Sequence, residues 1–281
     1  MVHIAADSGC DLFTLEGASF GTAPLTISTH SESFLDDEHL DCAAMIEHLL
    51  SYKGRSYTAC PSSEAWMRAF LPADGQIPEE LYIVTLTSGL SGTYNSAVLA
   101  KEQLLEQYPE MKVLVVDSLS VGPEMVLLLK EIVRLKQQGK SFEEVSEAIA
   151  AYSKHTRLFF AFRSLHNLAQ NGRVNKLVAA AAGVLGISVL GTASEKGEIQ
   201  SLGKARGDRR VIDGLLQEMK QAGWQGGRVS ISETENPELA EKMKQAILAE
   251  HPHTEVEIHP VRGLCSYYCE RGGLCIGCET A

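Results

Sequence analysis

A turn rich in hydroxyl groups and glycine is the part of this sequence best suited to binding an anion. Residues 88–93 read Ser-Gly-Leu-Ser-Gly-Thr and join an apolar run typical of a buried strand to a segment with an apolar helical face. At a helix start, unpaired backbone N–H groups and the helix dipole favour negative charge. Hydroxyls add donors, and Gly89 and Gly92 allow close approach to the backbone. The alternative is that Ser91 or Thr93 only caps the helix and that the glycines only serve the turn.

Four cysteines close to the C-terminus form a second candidate site. Cys265, Cys269, Cys275 and Cys278 are close enough in sequence for their thiolates to hold zinc or an iron–sulfur cluster, although their spacing is not that of a standard zinc finger. The alternative is that they are packing residues or redox-sensitive thiols. No secretion signal precedes the seven cysteines of the chain, so we interpret them as thiols or ligands and not as a disulfide framework. We assign no metal.

Other catalytic patterns are incomplete. The turn is not a nucleophile elbow, because Thr93 stands where that motif requires glycine. Gly139-Lys-Ser imitates the end of a P-loop, but Arg134 replaces its first glycine and a helix precedes it. No strand is followed by GxGxxG, and the histidines lack metal-ligand spacing. Nothing in the sequence identifies a hydrolase, an NTPase or a dehydrogenase.

Composition limits the class of protein further. The 281 residues are 44% hydrophobic and 22% charged, which is typical of a globular protein with a well-buried core. A net charge of −11 argues against nucleic-acid binding, because it repels a phosphate backbone. The N-terminus has no signal-peptide pattern and no apolar run approaches a membrane span. We therefore expect a cytoplasmic protein without stable membrane insertion.

Alternating strand and helix patterns predict a parallel sheet in the first half of the chain. Polar residues follow three predicted strands: Asp7-Ser8, residues 88–93 and Asp117-Ser118. Because ligands bind outside the carboxyl ends of parallel strands, we expect these residues to line one crevice. The predicted strands are Val2–Ala6, Leu81–Leu86 and Lys112–Val116. Two helices are predicted over 38–52 and 124–138, and two others begin at Pro61 and at Thr93. A further helix starts with a capping box of Ser141 and Glu144 and runs to Lys154.

The second half of the chain has a different pattern. Residues 187–191 and 198–205 bracket Ser194-Glu-Lys-Gly and predict a hairpin, so part of this half is antiparallel. A helix at 208–221, a strand at 228–232, a helix at 237–250 and a strand at 255–259 follow. We therefore predict an α/β fold with two domains, an N-terminal parallel-sheet domain over 1–156 and a C-terminal mixed domain over 157–281.

The chain resembles the DegV family, which includes the fatty-acid-binding subunits of bacterial fatty acid kinase. The resemblance covers nearly the full length. Similarity to that family implies two α/β domains with a long-chain fatty acid between them, its carboxylate held by hydroxyls and its tail in an apolar tunnel. The motifs that carry it are Ser88–Ala97, Asp7-Ser8, Asp117-Ser118, Thr58-x-x-Pro61 and Leu165-x-x-Leu-x-x-Asn-Gly-Arg173.

The resemblance also implies roles for individual residues. Thr58 and Ser91 would donate to the carboxylate, together with the backbone N–H of Gly92. Residues 158–162 and 177–190 are candidate tunnel walls, with ordinary core packing as the alternative. The fatty-acid-binding set is Thr58, Ser91, Gly92, Thr93, Cys265 and Ser266, and the residues that present the carboxylate to a separate kinase are Arg173 and Arg206.

The C-terminus departs from the family pattern. Many relatives read Gly-x-His where this chain reads Gly263-Leu-Cys265-Ser266. Ser266 can still donate to a carboxylate, whereas the charge and proton exchange of an imidazole are lost. This departure bears on the kinase partnership more than on lipid binding.

Three functional hypotheses follow. The leading one is a lipid carrier without catalytic power, with a fatty acid as its ligand and no other cofactor. It would present the fatty acid to a dihydroxyacetone-kinase-like fatty acid kinase subunit that makes the acyl phosphate. The second is a metal- or thiol-dependent enzyme or redox sensor that uses the cluster from Cys265 to Cys278. The third, a binder of another small carboxylate, requires a short polar pocket, which the apolar second half disfavours.

Overall fold

The computed structural model describes residues 2–174 and 186–281. The first half contains β1 (Val2–Asp7), β2 (Ser19–Ala23), β3 (Thr26–Ser28), β4 (Ser33–Leu35), α1 (Cys42–Ser51), β5 (Tyr57–Ala59), α2 (Ser63–Phe70), β6 (Glu80–Thr85), α3 (Thr93–Gln107), β7 (Lys112–Asp117), α4 (Pro123–Gln137) and α5 (Phe142–Tyr152). The second contains β8 (Thr156–Phe162), α6 (His166–Gln170), β9 (Ile187–Ala193), β10 (Ile199–Arg206), α7 (Asp208–Gln221), β11 (Val229–Glu233), α8 (Pro237–Glu250), β12 (Val256–Pro260), α9 (Gly263–Cys269) and β13 (Leu274–Glu279).

A four-stranded parallel sheet forms the centre of the first half. Its strand order is β2-β1-β6-β7, and all three pairings are parallel. Strands β1 and β6 are almost entirely buried, as expected for a sheet covered by helices on both faces. The predicted α/β class and the parallel sheet are confirmed. The capping box at Ser141 and Glu144 is also confirmed, with both reciprocal hydrogen bonds present.

A small antiparallel sheet lies beside the parallel one. Its order is β4-β3-β5, and Ile27 in β3 pairs with Thr58 in β5. None of these three strands was predicted from the sequence, and the predicted helix from Pro61 begins just after β5. Strands of three residues carry too little periodicity to be recognised, because their stability comes from pairing with distant segments.

The second half is built on a six-stranded mixed sheet of order β10-β9-β8-β13-β11-β12. The predicted hairpin is confirmed, since β9 and β10 pair antiparallel around the turn at Ser194 and Gly197. The predicted helices 208–221 and 237–250 match α7 and α8. The predicted boundary near residue 156 falls at the first residue of β8, and the division into 1–156 and 157–281 stays a prediction.

Strand β13 was not predicted from the sequence, yet it occupies the middle of this sheet between β8 and β11. Cys275 and Cys278 are strand residues within it, both buried. Gly277 is required for packing, because a Cβ there would lie 2.6 Å from the backbone nitrogen of Glu124 at the start of α4. The cysteine spacing indicated a possible metal site, whereas this segment is an apolar strand. Within residues 2–174 and 186–281, no helix combines the length and apolar character needed to cross a membrane.

Candidate functional site

An apolar cavity lies between the parallel sheet and the six-stranded sheet, and residues from both halves line it. The space free of atoms is about 900 Å³, including the part open to solvent. The aliphatic and aromatic residues that line it include Leu25, Leu86, Leu90, Val121, Leu158, Phe160, Phe162, Leu168, Ile199, Val261 and Leu264.

Four of the half-buried polar side chains that line this cavity are Thr58, Ser91, Arg173 and Tyr268, and their partial exposure places them where it reaches solvent. We call these four residues the mouth. The hydroxyls of Thr58 and Tyr268 are hydrogen-bonded at 2.7 Å. Burial raises the pKa of Tyr268, while Thr58 and the positive charge of Arg173 favour the charged form. Among the lining residues that the structure describes, Arg173 is the one cation, and Asp11 and Glu198 are the acidic residues. The charge of Arg173 acts on Tyr268, so Arg173 is the group of the mouth that favours an anion.

Ser91 lies directly before α3. Its Oγ accepts a hydrogen bond from the backbone N–H of Thr93 at 3.3 Å. Gly92 is the N-terminal boundary residue of the helix and has no side chain with which to cap it. Ser91 therefore both supports the helix start and faces the cavity, which combines the two roles that the sequence left open.

The glycines of the turn differ in role. A Cβ on Gly89 would lie 2.4 Å from the carbonyl oxygen of Lys196, in the hairpin turn between β9 and β10. The Thr87 hydroxyl donates to the carbonyl of Gly197 at 2.9 Å in the same turn. Gly89 thus allows the two halves of the molecule to pack closely, whereas we expected it to admit a ligand. Gly92 has more room, since a Cβ there would lie 3.7 Å from its nearest neighbour, the sulfur of Cys60.

The acidic residues at the strand ends hold the loops in place. Asp7 is buried and accepts hydrogen bonds from the N–H of Leu86 at 2.7 Å and the hydroxyl of Thr93 at 3.4 Å. Burial raises the pKa of Asp7 to about 7 against these donors. Asp117 accepts from the N–H groups of Ser88 and Leu119. The three strand ends lie at one edge of the sheet, as predicted, but Asp7 and Asp117 do not line the cavity.

Arg173 is positioned by backbone contacts. Its Nε donates to the carbonyl of Leu90 at 3.2 Å, and its Nη1 donates to the carbonyl of Asn171. Asn171 in turn donates through Nδ2 to the hydroxyl of Tyr267 at 2.8 Å. The guanidinium is therefore held next to the loop that carries Ser91.

Helix α9 carries Tyr268, and a distant carboxylate supports its N-terminus. The two oxygens of Asp36 accept from the N–H groups of Gly263 at 2.8 Å and Leu264 at 2.9 Å. Both donors would otherwise be unpaired at the start of this helix. Asp36 is fully buried and lies 227 residues before Gly263 in sequence.

Four of the predicted site residues line the cavity: Thr58, Ser91, Arg173 and Cys265. Two others are directed elsewhere, because the Thr93 hydroxyl bonds to Asp7 and the Ser266 hydroxyl donates to the carbonyl of Arg262 in its own helix. Gly92 is exposed and does not line the cavity.

Arg206 is also placed away from the cavity. It ends β10 opposite Ile187, whereas Ile199, which lines the cavity, begins that strand. The two ends of the strand are separated by roughly 20 Å. The role given to Arg206 stays a prediction and would require a surface at the other end of the hairpin.

The predicted tunnel walls coincide in part with the cavity lining. Leu158, Phe160 and Phe162 point into it, and the two phenylalanine rings stack with centroids 4.4 Å apart. Of the second predicted wall, residues 177–185 lie outside the described residues. Two residues that line the cavity, Tyr268 and Asp11, were not predicted from the sequence. The signal for Tyr268 was its position three residues after Cys265, in the segment that departs from the family pattern.

The C-terminal cysteines are mostly part of the cavity wall. Cys265, Cys269 and Cys275 line it, with the sulfurs of Cys269 and Cys275 3.6 Å apart. Burial raises the pKa of Cys265, and the hydrogen bond that the Cys275 thiol makes to Cys269, together with burial, raises that of Cys275. In the part of the chain that the structure describes, no cluster of three metal-ligating side chains occurs. Raised pKa values keep Cys265 and Cys275 as weakly polar thiols, which suit an apolar wall better than a nucleophile.

Comparison with known proteins gives consistent matches over the whole chain. The family model described as an uncharacterised protein of the DegV family matches residues 1–280. A DegV domain-containing protein of Streptococcus pneumoniae is 40% identical over 280 residues, which is 98% of each chain. A DegV family protein from Eubacterium eligens, solved with heptadecanoic acid, is 48% identical, with a TM-score of 0.97 and complete coverage of both chains. The Streptococcus pneumoniae Fatty Acid Kinase (Fak) B3 protein, loaded with linoleic acid, is 39% identical with a TM-score of 0.95 and covers 100% of this chain and 99% of its own.

Proposed function

We propose that this chain, which belongs to the DegV family, binds a long-chain fatty acid with its carboxylate at the mouth and its tail in the apolar cavity. The observation that carries the proposal is the combination of an apolar cavity with a mouth of hydroxyls, a helix start and the guanidinium of Arg173. The two similar structures that hold heptadecanoic and linoleic acid support the class of ligand.

The tail supplies most of the expected affinity. Each buried methylene contributes roughly 0.8 kcal/mol, so a C16 tail outweighs any single contact at the head. Along β8 the side chains that face the cavity are Leu158, Phe160 and Phe162, which carry no charge. A short polar carboxylate would gain little from this wall.

The head group is suited to the mouth because its donors are largely neutral. Ser91, Thr58 and Tyr268 offer hydroxyls, and α3 directs the positive end of its dipole to the same place. Arg173 adds one charge at the rim and is only half-buried. A carboxylate held this way keeps an oxygen accessible for a further reaction.

We propose a carrier role and not catalysis by this chain. The pKa values of the Cys265 and Cys275 thiols at the cavity are raised, and among the described residues no nucleophile, base and orienting residue come together at the mouth. Presentation to a separate kinase that forms the acyl phosphate is the finer proposal, supported by the similarity to Fak B3. Arg173 is the residue best placed to meet an incoming phosphate, since a guanidinium recognises phosphate oxygens through two parallel hydrogen bonds.

Mass spectrometry of the protein purified from a bacterial host tests ligand binding directly. Native spectra followed by solvent extraction should show one C14–C18 fatty acid per chain. Protein that is empty, and that takes up no fatty acid after delipidation, would contradict the proposal.

The double variant Ser91→Ala with Thr58→Val tests the head-group assignment. It removes two mouth hydroxyls, each worth about 1 kcal/mol, so we expect fatty acid affinity to fall by roughly tenfold or more. The control is Ser88→Ala in the same turn, because Ser88 is exposed and does not line the cavity. Equal lipid retention in the double variant and the control would remove both hydroxyls from the site.

Arg173→Ala tests the presentation role. With a partner kinase, phosphate transfer should fall about tenfold or more, and by a larger factor than lipid retention. Arg173→Lys is the matched variant, since it keeps the charge but not the planar fork, and we expect it to recover only part of the rate. Parental turnover in Arg173→Ala would remove Arg173 from the transfer step.

A further inference from the structure

The buried part of the cavity contains a polar niche. Gly122, immediately before α4, has a φ of +57° and no side chain. A Cβ built there would lie 3.2 Å from Oδ2 of Asp11, 3.9 Å from the sulfur of Cys265 and 4.0 Å from Oγ of Ser232. All four residues line the cavity. These three polar atoms are therefore grouped beside Gly122, and we call this part of the cavity wall the niche.

Two of the polar atoms at the niche are poorly supplied with hydrogen-bond partners among the described residues. Oδ1 of Asp11 accepts from the N–H of Arg262 at 2.7 Å, whereas the remaining donor to this carboxyl is the weakly polar thiol of Cys265. Oγ of Ser232 has no partner among the described residues. Asp11 is 5% exposed and Ser232 is 1% exposed, so bulk water does not reach them freely. Leaving such groups unpaired costs about 1–3 kcal/mol each.

The chemistry of the niche favours a neutral group that can both donate and accept. Burial raises the pKa of the Asp11 carboxyl to about 7, although the N–H of Arg262 and the thiol of Cys265 favour its charged form. Asp11 can therefore accept when ionised and donate when protonated, and the Ser232 hydroxyl can do either. A second carboxylate is disfavoured beside Asp11, and a cation has no place among the surrounding apolar residues. A hydroxyl group meets both requirements.

We propose that the cavity recognises fatty acids that carry a hydroxyl group along the acyl chain, with that oxygen in the niche between Asp11 and Ser232. This inference rests on the proposed binding of a fatty acid. The carboxylate at the mouth and the oxygen in the niche together fix the position of the hydroxyl along the chain. The niche thus sets specificity, while the apolar wall supplies affinity.

A competition series tests this inference. The delipidated protein is titrated with stearic acid and with hydroxystearic acids in which the hydroxyl is moved along the chain. One position should bind about tenfold more tightly than stearic acid, as two recovered hydrogen bonds predict, and the other positions should bind more weakly than stearic acid. The measured quantity is the ratio of the two dissociation constants.

Two serine variants make the test specific. Ser232→Ala removes one of the two hydrogen bonds and should reduce this ratio to about three. Ser230→Ala is the matched control, because Ser230 precedes it by two residues on the same strand, is buried and unpartnered among the described residues, but does not line the cavity. It should keep the parental ratio. Gly122→Ala would fill the niche directly, but its φ of +57° strains any side chain.

The outcomes separate this inference from the proposed function. If stearic acid binds and no hydroxystearic acid exceeds it, the niche does not select a hydroxyl, and fatty acid binding stands. A preference that persists unchanged in Ser232→Ala also overturns the assignment. If neither acid binds, the proposed function fails and the inference fails with it.

Discussion

The mouth and the niche are both polar parts of one cavity, but their polar atoms differ in how fully they are hydrogen-bonded. At the mouth, the Thr58 and Tyr268 hydroxyls bond to each other and Arg173 donates to two backbone carbonyls. In the niche, the Ser232 hydroxyl has no partner among the described residues, and Oδ2 of Asp11 has at most the weak thiol donor of Cys265. The mouth is half-exposed and the niche is buried.

This difference separates two ways of binding. The mouth is held in shape before the ligand arrives, so a charged group meets donors that are already positioned and that water can partly solvate. The niche gains most when a ligand group enters, because burial has left its atoms unsatisfied. We infer that the mouth recognises what all fatty acids share and that the niche distinguishes among them.

The largest effect is expected where one change disturbs both parts. Helix α9 carries Tyr268 to the mouth and Cys265 to the niche, and Asp36 pairs the first N–H groups of that helix. Asp36→Ala leaves two buried donors unpaired and should lower the free energy of unfolding by about 4 kcal/mol. Urea unfolding measures this. Asp37→Ala, next to it and more exposed, should lose less than about 1 kcal/mol, and a similar loss in both variants would contradict this role of Asp36.

The pH dependence of stability distinguishes the niche from the mouth. The folded-state pKa of Asp11, about 7, lies above its unfolded value, so the folded state binds the proton more tightly. The contribution of Asp11 to the free energy of unfolding is therefore present at low pH. It is lost as pH rises from about 4 to about 7, by up to roughly 1.4 kcal/mol per pH unit. In Asp11→Asn, the free energy of unfolding should decline less steeply with rising pH than in the parent.

Unfolding curves at several pH values check this expectation. The exposed Asp213→Asn on α7 is the control for the substitution and should leave the decline as in the parent. Asp7 has a pKa of about 7 for the same reason, so part of the decline should remain in Asp11→Asn. An unchanged decline would mean that Asp11 is ionised in the folded protein well below neutral pH.

The smallest effect is expected at the mouth alone. Tyr268→Phe removes one hydroxyl and leaves Thr58 without its 2.7 Å partner, but water can reach this half-buried position. Fatty acid affinity should fall about fivefold, or roughly 1 kcal/mol. Tyr108→Phe, on a residue that does not line the cavity, is the control. A parental affinity in Tyr268→Phe would show that this hydroxyl makes no contact with the carboxylate.

The elements with local signals were predicted closely from the sequence. The capping box at Ser141 and the hairpin turn at Ser194 are encoded within a few residues, and the structure confirms both. The short strands β3 and β5 and the central strand β13 were missed. Their hydrogen-bond partners are distant in sequence, so no local pattern marks them.

The candidate site follows the same division. The turn that contains Ser91, the helix start after it and the apolar strand that contains Phe160 are properties of short segments, and the sequence by itself determined them. Which hydroxyls face the cavity was decided only by tertiary structure. The Thr93 hydroxyl donates to Asp7, and the Ser266 hydroxyl donates to a carbonyl at the start of its own helix. The Tyr268 hydroxyl is hydrogen-bonded to that of Thr58 at the cavity.

The niche is the clearest case of tertiary control. Asp11 meets the backbone of Arg262 across 251 residues of sequence, and Ser232 reaches the same space from the six-stranded sheet. The sequence alone determined the segments, because local hydrogen bonds and apolar periodicity act over a few residues. Only the packing of the two sheets brought a carboxyl, a thiol and a hydroxyl around Gly122, because burial and long-range contacts depend on the whole fold.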